Sequence, residues 1–304
     1  MDPNAVLAEQ FQRSRAHLRA VAVRILGSPE DAEDALQEVW LRASRVDVSA
    51  VENLPGWLTT VTSRVCLDML RARRRRPETP TDPVLLAPLV TDGVPDPADA
   101  VAQAGRVSEA LLVVLDRLGP AERVAFMLHD LFAVPFDDIA ELLDRSPDAA
   151  KKLASRARRQ VHGTATVPAA ELDRHRTVVE AFLAATRAGD LDALLRVLAP
   201  DVVRRVDRVA MRGQPAQEAR GARGVATETV LSAGMARHAW PALVDGRIGV
   251  VVAPHGRLRF ALRLVIDGDR VAGIDVIGEP DRLRRLVLAV VEPVTSLRPV
   301  ASES

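Results

Sequence analysis

The sequence has few of the residues on which small secreted proteins and redox enzymes rely. Its 304 residues include one cysteine, Cys66, which excludes an intramolecular disulfide and a zinc cluster made of cysteines. The apolar neighbours Val65 and Leu67 predict that this thiol is buried. No apolar run approaches the roughly 18 residues that cross a bilayer, and the first 15 residues are too polar for a secretory signal. We therefore expect a cytoplasmic protein.

An excess of charge of either sign is also missing. Lys plus Arg equals Asp plus Glu at 41 each, so the net charge does not indicate a nucleic-acid partner. The distribution is more informative, because five of the six residues from Arg71 to Arg76 are arginine. Between Arg145 and Gln160, six basic residues stand against one acid, Asp148. Each cluster closes a helical pattern, which predicts two separate phosphate-binding surfaces.

Changes of pattern along the chain predict two all-α helical domains followed by an α+β domain. Six prolines between 77 and 97 exclude a long helix there and favour an extended linker. Short β-like runs after residue 245 are joined by the turn signals Asp245-Gly246 and Asp267-Gly268-Asp269. We expect helical domains at 5–76 and 100–163, a linker at 77–99, an α+β domain at 168–290 and a tail at 291–304.

The helix after Ser28-Pro29 shows one apolar stripe and one acidic face. A serine cap, an early proline and acids in the first turn are typical of a helix start. On the residues alone, the acidic face is better explained as a solvated surface than as a docking site. The order of residues from Asp31 to Trp40, however, resembles the helix by which sigma factors grip the clamp helices of RNA polymerase. That resemblance implies polymerase-binding roles for Asp31, Asp34, Gln37, Glu38 and Trp40.

The helix after Pro55 combines an inward apolar stripe with hydroxyls, arginines and a basic end. Such a surface suits contact with phosphates and unstacked bases, and it equally fits a core helix with a solvated basic tail. The run from Gly56 to Arg74 resembles the promoter-melting segment of extracytoplasmic-function (ECF) sigma factors. The resemblance implies that the loop at about 47–53 receives a flipped base. It also implies contacts with the minus-ten element by Asn53, Trp57, Thr62, Arg64, Arg71, Arg73 and Arg74.

The second helical domain contains the pattern of a helix-turn-helix. An amphipathic helix at 136–143 and the turn Asp144-Arg145 are followed by a capped start at Ser146-Pro147-Asp148. We expect Ala149, Leu153, Ala157 and Val161 to face the core, which leaves a basic face for a major groove. The domain resembles the part of a sigma factor that reads the minus-thirty-five element. The implied DNA contacts are Ser146, Lys151, Lys152, Ser155, Arg156 and Arg159.

The last domain opens with helices, at 178–202, that resemble the cone-shaped fold shared by SnoaL-like polyketide cyclases, NTF2-like proteins and steroid isomerases. The fold does not confer the reaction, and isomerase chemistry needs a base and a donor at an oxyanion. The chain contains no tyrosine, and the spacing of Asp207, His238 and Asp275 marks no catalytic set. We therefore expect no enzyme activity, no catalytic residue, no cofactor and no metal; whether the domain binds a small molecule stays open.

The segment Glu279 to Leu283 resembles an Asn-Pro-Asp-Lys-Leu motif in a subgroup of ECF sigma factors with this same domain. It implies a regulatory contact by Pro280, Asp281, Arg282 and Leu283 that biases a compact, inactive form over an extended one. The alternative is that the segment only caps the last helix.

The joint match of two helical domains in one order favours a sigma factor that directs promoter-specific transcription initiation. Its expected partners are the β and β′ subunits of core RNA polymerase and promoter DNA, without a membrane. A one-component regulator with a ligand-sensing domain and a cyclase or isomerase are the rival functions. The acidic helix, which a simple repressor does not require, disfavours the first rival, and the missing tyrosine disfavours the second.

Overall fold

The structure is a computed structural model that describes residues 3–49, 51, 53–75, 109–210 and 217–291. The predicted linker at 77–99, Arg76, the start of the second helical domain and residues 292–304 of the predicted tail lie outside the described residues. Across the described part of the chain, no helix is both long and apolar enough to cross a membrane.

The chain forms two compact units, which are described separately. Among the described residues, the first draws on 3–75 and 116–158, and the second on 109–115 and 159–291. The helices of the first unit are α1 (Pro3–Leu26), α2 (Pro29–Ala43), α3 (Leu54–Arg75), α5 (Pro120–Phe126), a π-helical segment (Met127–Leu131), α6 (Phe136–Leu143) and most of α7 (Pro147–His162).

The second unit contains nearly all of α4 (Glu109–Asp116), the last turn of α7 and a sheet with its covering helices. The helices are α8 (Ala169–Ala188), α9 (Leu191–Val197), α10 (Ala222–Val230), α11 (Ala233–Ala236) and α12 (Pro280–Arg285). The strands are β1 (Leu198–Val206), β2 (Gln217–Arg220), β3 (Ala239–Val244), β4 (Arg247–Val252), β5 (Phe260–Asp267), β6 (Arg270–Ile277) and β7 (Leu288–Ala289).

In the first unit, α3 packs against both α1 and α2. Leu18, Ile25, Val39, Leu58 and Leu67 are at most 1% exposed. The start of α2 forms as predicted, because the Ser28 hydroxyl accepts the backbone N–H of Asp31. The three helices therefore share one apolar core and present their polar faces outward.

The helix-turn-helix has the predicted layout. Asp144 ends α6 in the left-handed conformation, with φ at 54°, and the Ser146 hydroxyl accepts the backbone N–H of Ala149 at the start of α7. The buried stripe of α7 differs from the expected one, since it consists of Ala150, Ala154, Ala157 and Val161. Ala149 and Leu153 are half-buried. The two stripes agree at Ala157 and Val161 and differ by one residue in the first turns, because a strict four-residue spacing drifts around a helix with 3.6 residues per turn.

The second unit is the expected α+β domain. Its seven-stranded sheet has the order β2-β1-β6-β5-β4-β3-β7, in which β1 pairs parallel with β6 and the other neighbours pair antiparallel. Residues of α8, α9 and α10 form a common core with the strands, around Phe182, Leu194, Val225, Val250 and Ile274. One face of the sheet is thereby covered by helices, as in other α+β domains.

The turn between β3 and β4 joins several segments of the second unit. Asp245 and Gly246 both have positive φ, at 53° and 80°, as the Asp-Gly turn signal predicts. The Gly246 carbonyl accepts both the backbone N–H and the hydroxyl of Thr166, at 2.7 and 3.1 Å. The Asp245 carboxylate accepts the backbone N–H of Val287 just before β7, at 2.9 Å. The turn thus anchors both the segment that follows α7 and the strand β7.

The last turn of α7 is itself held by β7. The backbone N–H of Val290 donates to the Val161 carbonyl at 2.8 Å. Gly163 ends the helix with φ at 58°, and a Cβ there would lie 2.5 Å from the Cβ of Ala289. The position therefore requires glycine for two reasons, the left-handed backbone and the close approach of β7.

We expect Gly163→Ala to lower the free energy of unfolding by about 2–3 kcal/mol, because it adds left-handed strain to an overlap with Ala289. Urea unfolding of the full chain measures the change. The control is Gly224→Ala in α10, where an added Cβ meets nothing within 4 Å and helix propensity is expected to raise stability slightly. Equal effects of the two substitutions would contradict this account of Gly163.

Candidate nucleic-acid interface

The acidic face of α2 is only partly accessible. Asp34 and Gln37 are exposed, whereas Asp31, Glu38 and Trp40 are half-buried. Asp31 is ion-paired with Arg73. Glu38 is ion-paired with Arg42 at 2.7 Å, and the Trp40 ring lies 5.3 Å from that of Phe11. Asp34 and Gln37, one turn apart, are therefore the two predicted polymerase-binding residues most open to a partner.

Arg42 ties this acidic face to α3. Its guanidinium donates to Glu38 at 2.7 Å and to Asp68 of α3 at 3.2 Å. The hydrogen bond to Glu38, followed by that to Asp68, holds the pKa of Arg42 above its usual value, although partial burial opposes the shift. The acidic face of α2 and the polar face of α3 are thus adjacent surfaces of one unit.

Most of the predicted minus-ten residues lie at the surface of α3 or just before it. Asn53, Arg64, Arg71, Arg73 and Arg74 are exposed. Asn53 also begins the helix, since its side-chain oxygen accepts the backbone N–H of Gly56 at 3.0 Å, and Trp57 is half-buried.

Thr62 is the exception in this set. It is fully buried, and its hydroxyl donates to the Leu58 carbonyl at 2.8 Å. Ser63 is buried in the same way and donates to the Thr59 carbonyl. A hydroxyl that donates a hydrogen bond to the carbonyl four residues earlier can be buried without leaving an unsatisfied donor in the core. Because both α1 and α2 pack on α3, its buried face is wider than its apolar stripe, and Thr62 is removed from the surface set.

Arg73 connects the arginine run to the other two helices. Besides its ion pair with Asp31, it donates to the Leu26 carbonyl at the end of α1, at 3.4 Å. Its side chain is still 44% exposed. A phosphate of a DNA strand would therefore compete with Asp31 for the Arg73 guanidinium. Arg71 and Arg74 are exposed to solvent.

The predicted recognition face of α7 is open along its length. All six predicted minus-thirty-five residues are exposed: Ser146, Lys151, Lys152, Ser155, Arg156 and Arg159. Arg156 reaches Glu122 at 3.9 Å, a distance typical of a weak surface pair. The helix therefore presents a row of cations and hydroxyls suited to phosphates and base edges.

Arg158 has a different task from its basic neighbours, which the sequence did not reveal. Its guanidinium donates to the Asp130 carboxylate of the π-helical segment at 2.9 and 2.6 Å. The pair links α7 to the π-helical segment. The available signal was periodicity, since residue 158 lies three residues before Val161 of the expected stripe and so borders the buried face.

The segment with the predicted regulatory contact is held by Asp207, which is 9% exposed. One carboxylate oxygen accepts the backbone N–H groups of Gly278 and Glu279 at 2.8 and 2.9 Å, and the other accepts that of Ala210 at 2.9 Å. Burial raises the pKa of Asp207, but these three amides and the Arg282 charge outweigh it and hold the pKa below its usual value.

Two of the four predicted regulatory residues are engaged inside the second unit. Arg282 lies between Asp207 at 3.5 Å and Asp275 at 3.0 Å, and Leu283 is 8% exposed. Pro280 and Asp281 are exposed, and Asp281 is ion-paired with Arg284. The segment thus has an inner side that anchors it and an outer side that remains accessible.

The three candidate polar groups of this domain do not come together. Asp207 and Asp275 share Arg282 at the ends of β1 and β6. His238 directly precedes β3, which β4 and β5 separate from β6 in the sheet. This arrangement is that of a structural ion network and not of an acid–base pair.

Two family models match the helical parts of the chain, and known proteins are similar to most of its length. Residues 10–76 match Sigma-70 region 2, and residues 108–161 match Sigma-70, region 4. The chain is similar to the ECF RNA polymerase sigma factor SigJ of Mycobacterium tuberculosis, with 40% identity over 254 residues that cover 80% of each protein. It is also similar to the probable ECF RNA polymerase sigma factor SigI of the same species, with 38% identity over 209 residues, or 68% of this chain and 72% of that one. The crystal structure of the M. tuberculosis SigJ aligns over 91% of this chain and 98% of that chain, with 36% identity and a TM-score of 0.45.

We expect Asp207→Asn to destabilise the protein by about 2–3 kcal/mol at pH 7, because an amide –NH2 would face backbone donors and the attraction of Arg282 would be lost. Since the folded pKa of Asp207 lies below the unfolded value of about 3.9, its contribution is complete above that value and disappears as the pH falls through the folded pKa. Urea unfolding from pH 7 to pH 3 measures both effects.

The control for this substitution is Asp201→Asn, which changes an exposed carboxylate within β1, the strand that directly precedes Asp207. It is expected to alter stability by less than about 0.5 kcal/mol. A stability difference between wild type and Asp207→Asn that grows as the solution is acidified would contradict the assigned network.

Proposed function

This chain belongs to the extracytoplasmic-function family of RNA polymerase sigma factors, and on that premise we propose which of its surfaces carry each step of promoter recognition. Its sigma-70 regions 2 and 4 support promoter-specific transcription initiation. We propose domain borders at 5–76 and 100–163 for these regions, a linker at 77–99, a SnoaL-like regulatory domain at 168–290 and a tail at 291–304.

One observation carries the proposal. An accessible acidic helix and two accessible basic helices lie in one chain, in the order in which regions 2 and 4 occur. A repressor needs a basic recognition helix but no acidic docking helix. We place the protein in the cytoplasm because that is where its proposed partner, core RNA polymerase, works.

The proposed polymerase contact is the outer face of α2. Asp34 and Gln37 make the direct contact, with Glu38 at its edge, against basic residues of the β and β′ subunits. Asp31 and Trp40 position the face, since Asp31 is bound to Arg73 and Trp40 packs on Phe11. Charge complementarity of this kind steers association as well as adding affinity.

The proposed minus-ten surface is the exposed side of α3 and the loop before it. Asn53 and Trp57 border the position of an unstacked base, while Arg64, Arg71, Arg73 and Arg74 contact the backbone. Aromatic and basic groups together are suited to a melted strand. Thr62 has no part in this surface, because its side chain is buried.

The proposed minus-thirty-five surface is the exposed face of α7, which enters the major groove. Lys151 and Lys152 contact phosphates. Ser155, Arg156 and Arg159 lie on the same accessible side, where hydroxyl and guanidinium groups reach base edges. Ser146 caps the N-terminus of α7, and the positive end of the helix dipole there favours contact with a nearby phosphate.

We propose that the SnoaL-like domain regulates initiation and performs no chemistry. Its contact segment is Pro280 to Leu283, in which Pro280 and Asp281 face outward. Arg282 and Leu283 anchor the segment, and the ion network of Asp207 supports this division. The contact biases a compact, inactive form over an extended form bound to polymerase.

We expect Asp34→Lys to weaken binding to core RNA polymerase at least about tenfold, because it reverses an accessible charge at the proposed docking face. Biolayer interferometry with purified core enzyme measures affinity, and run-off transcription measures initiation. The control is Glu9→Lys, which makes the same charge change at an exposed position of α1 and is expected to leave both unchanged. Equal binding by the two variants, or no initiation by any form of the protein, would sink the assignment.

We expect Lys151→Ala and Lys152→Ala each to weaken binding of promoter DNA across all sequences and to lower the salt dependence by about one counterion. Arg156→Ala is expected to relax sequence preference in the minus-thirty-five element instead. Fluorescence anisotropy with holoenzyme at several salt concentrations separates the two behaviours. Arg174→Ala, at an exposed position of α8, is the control, and a loss of the same size there would contradict the proposed surface.

A further inference from the structure

Inside the first unit, the two promoter-binding halves meet at a seam. On one side are α1 and α3, which belong to region 2. On the other side are α5, the π-helical segment and α6, which belong to region 4, and α3 packs against both α5 and α6. The seam contains two buried guanidinium groups, Arg123 from region 4 and Arg24 from region 2.

Arg123 is 3% exposed, and few groups compensate its buried positive charge. Its only ion-pair partner within the described residues is Asp116, at 3.4 Å, and that carboxylate is 83% exposed. Its Nε atom has no hydrogen-bond acceptor in the described part of the chain. Nearby Cys66 of α3 is fully buried, and burial raises the pKa of its thiol to about 12, so it stays neutral. Burial in turn lowers the pKa of Arg123 to about 10.

Arg24 is the counterpart from the other half. It is 8% exposed, and its guanidinium carbon lies 5.4 Å from the ring centre of Phe132, which follows the π-helical segment. His17 meets the same ring edge-on at 5.6 Å. The Nε of Arg24 likewise has no acceptor among the described residues. A cation above a ring recovers only part of the hydration that a buried guanidinium loses.

The seam cannot persist on a promoter. Elements centred near positions minus ten and minus thirty-five are about 25 base pairs, or roughly 85 Å, apart at 3.4 Å per pair. A compact unit of about 100 residues has a radius of gyration of only about 13 Å. The two halves must therefore separate before both elements are bound.

We propose that the buried guanidinium groups of Arg24 and Arg123 hold the seam at marginal stability, so that binding to polymerase is sufficient to open it. The inference rests on the proposed function, because the closed form matters only if the two halves must separate to bind a promoter. Opening returns both groups to water, which offsets the loss of the apolar contacts around them.

The structure makes the effect of removing these charges predictable. Loss of one partner destabilises a buried ion pair when it leaves the other charge buried and alone. Here Asp116 is in solvent and Arg24 faces a neutral ring, so neither substitution strands a buried charge. Methionine keeps an unbranched stem of similar reach in place of each arginine and packs well against an aromatic ring.

The test measures the open fraction of the full chain without polymerase. Gln12→Cys in α1 and Glu141→Cys in α6 introduce exposed thiols for a donor–acceptor dye pair, whereas Cys66 is too buried to react. We expect Arg123→Met and Arg24→Met each to shift the closed-to-open ratio about tenfold towards the closed form. Because the binding-competent open fraction falls with this ratio, the apparent Kd for core polymerase should rise by about five- to tenfold.

Two controls separate charge from shape. Arg123→Lys keeps a buried cation and should retain an open fraction near that of wild type. Arg13→Met removes a cation that is 70% exposed on α1 and should change nothing. A seam opened or destabilised by either methionine variant, an unchanged dye distribution, or failure of both variants to fold would overturn the proposal. If wild type fails to initiate transcription, the proposed function falls, but the dye distribution of the free protein still decides whether the guanidinium groups destabilise the seam.

Discussion

The packing of α1 and α2 across α3 is the constraint on which the promoter-binding surfaces depend. It buries Leu58 and Leu67 of α3 almost completely, and it determines which side of α2 and which side of α3 remain in solvent. The ion pairs of Arg42 and Arg73 then connect these two surfaces at their edges. The faces proposed for polymerase docking and for contact with melted DNA are therefore neighbours on one small core.

The same helix also limits how far the two promoter-binding halves are independent. With Cys66 against Arg123, α3 serves as core for its own half and as contact surface for the other. Burial of apolar area favours this contact, while the two desolvated guanidinium groups oppose it. Such a balance is what the proposed opening on polymerase requires.

In the second unit, hydrogen bonds to buried or turn carboxylates hold segments that are distant in sequence. Asp245 and Asp207 each accept backbone N–H groups from segments distant in sequence, and the last turn of α7 is held by β7. The last turn of α7 thus belongs to the second unit, where Gly163 ends the helix.

Local chemistry was readable from the chain alone. The Ser28 and Ser146 caps, the Asp-Gly turn at 245, the helix-turn-helix and the α+β character of the last domain depend on interactions within a few residues, so sequence order determines them. Motif order was also sufficient to indicate the family. The burial of Thr62, the task of Arg158 and the roles of Arg24, Arg123 and Asp207 were decided only by the tertiary structure. Each depends on which distant element packs against the residue, and a side chain that is polar in the sequence carries no signal of whether its partner is water, a backbone amide or a neighbouring helix.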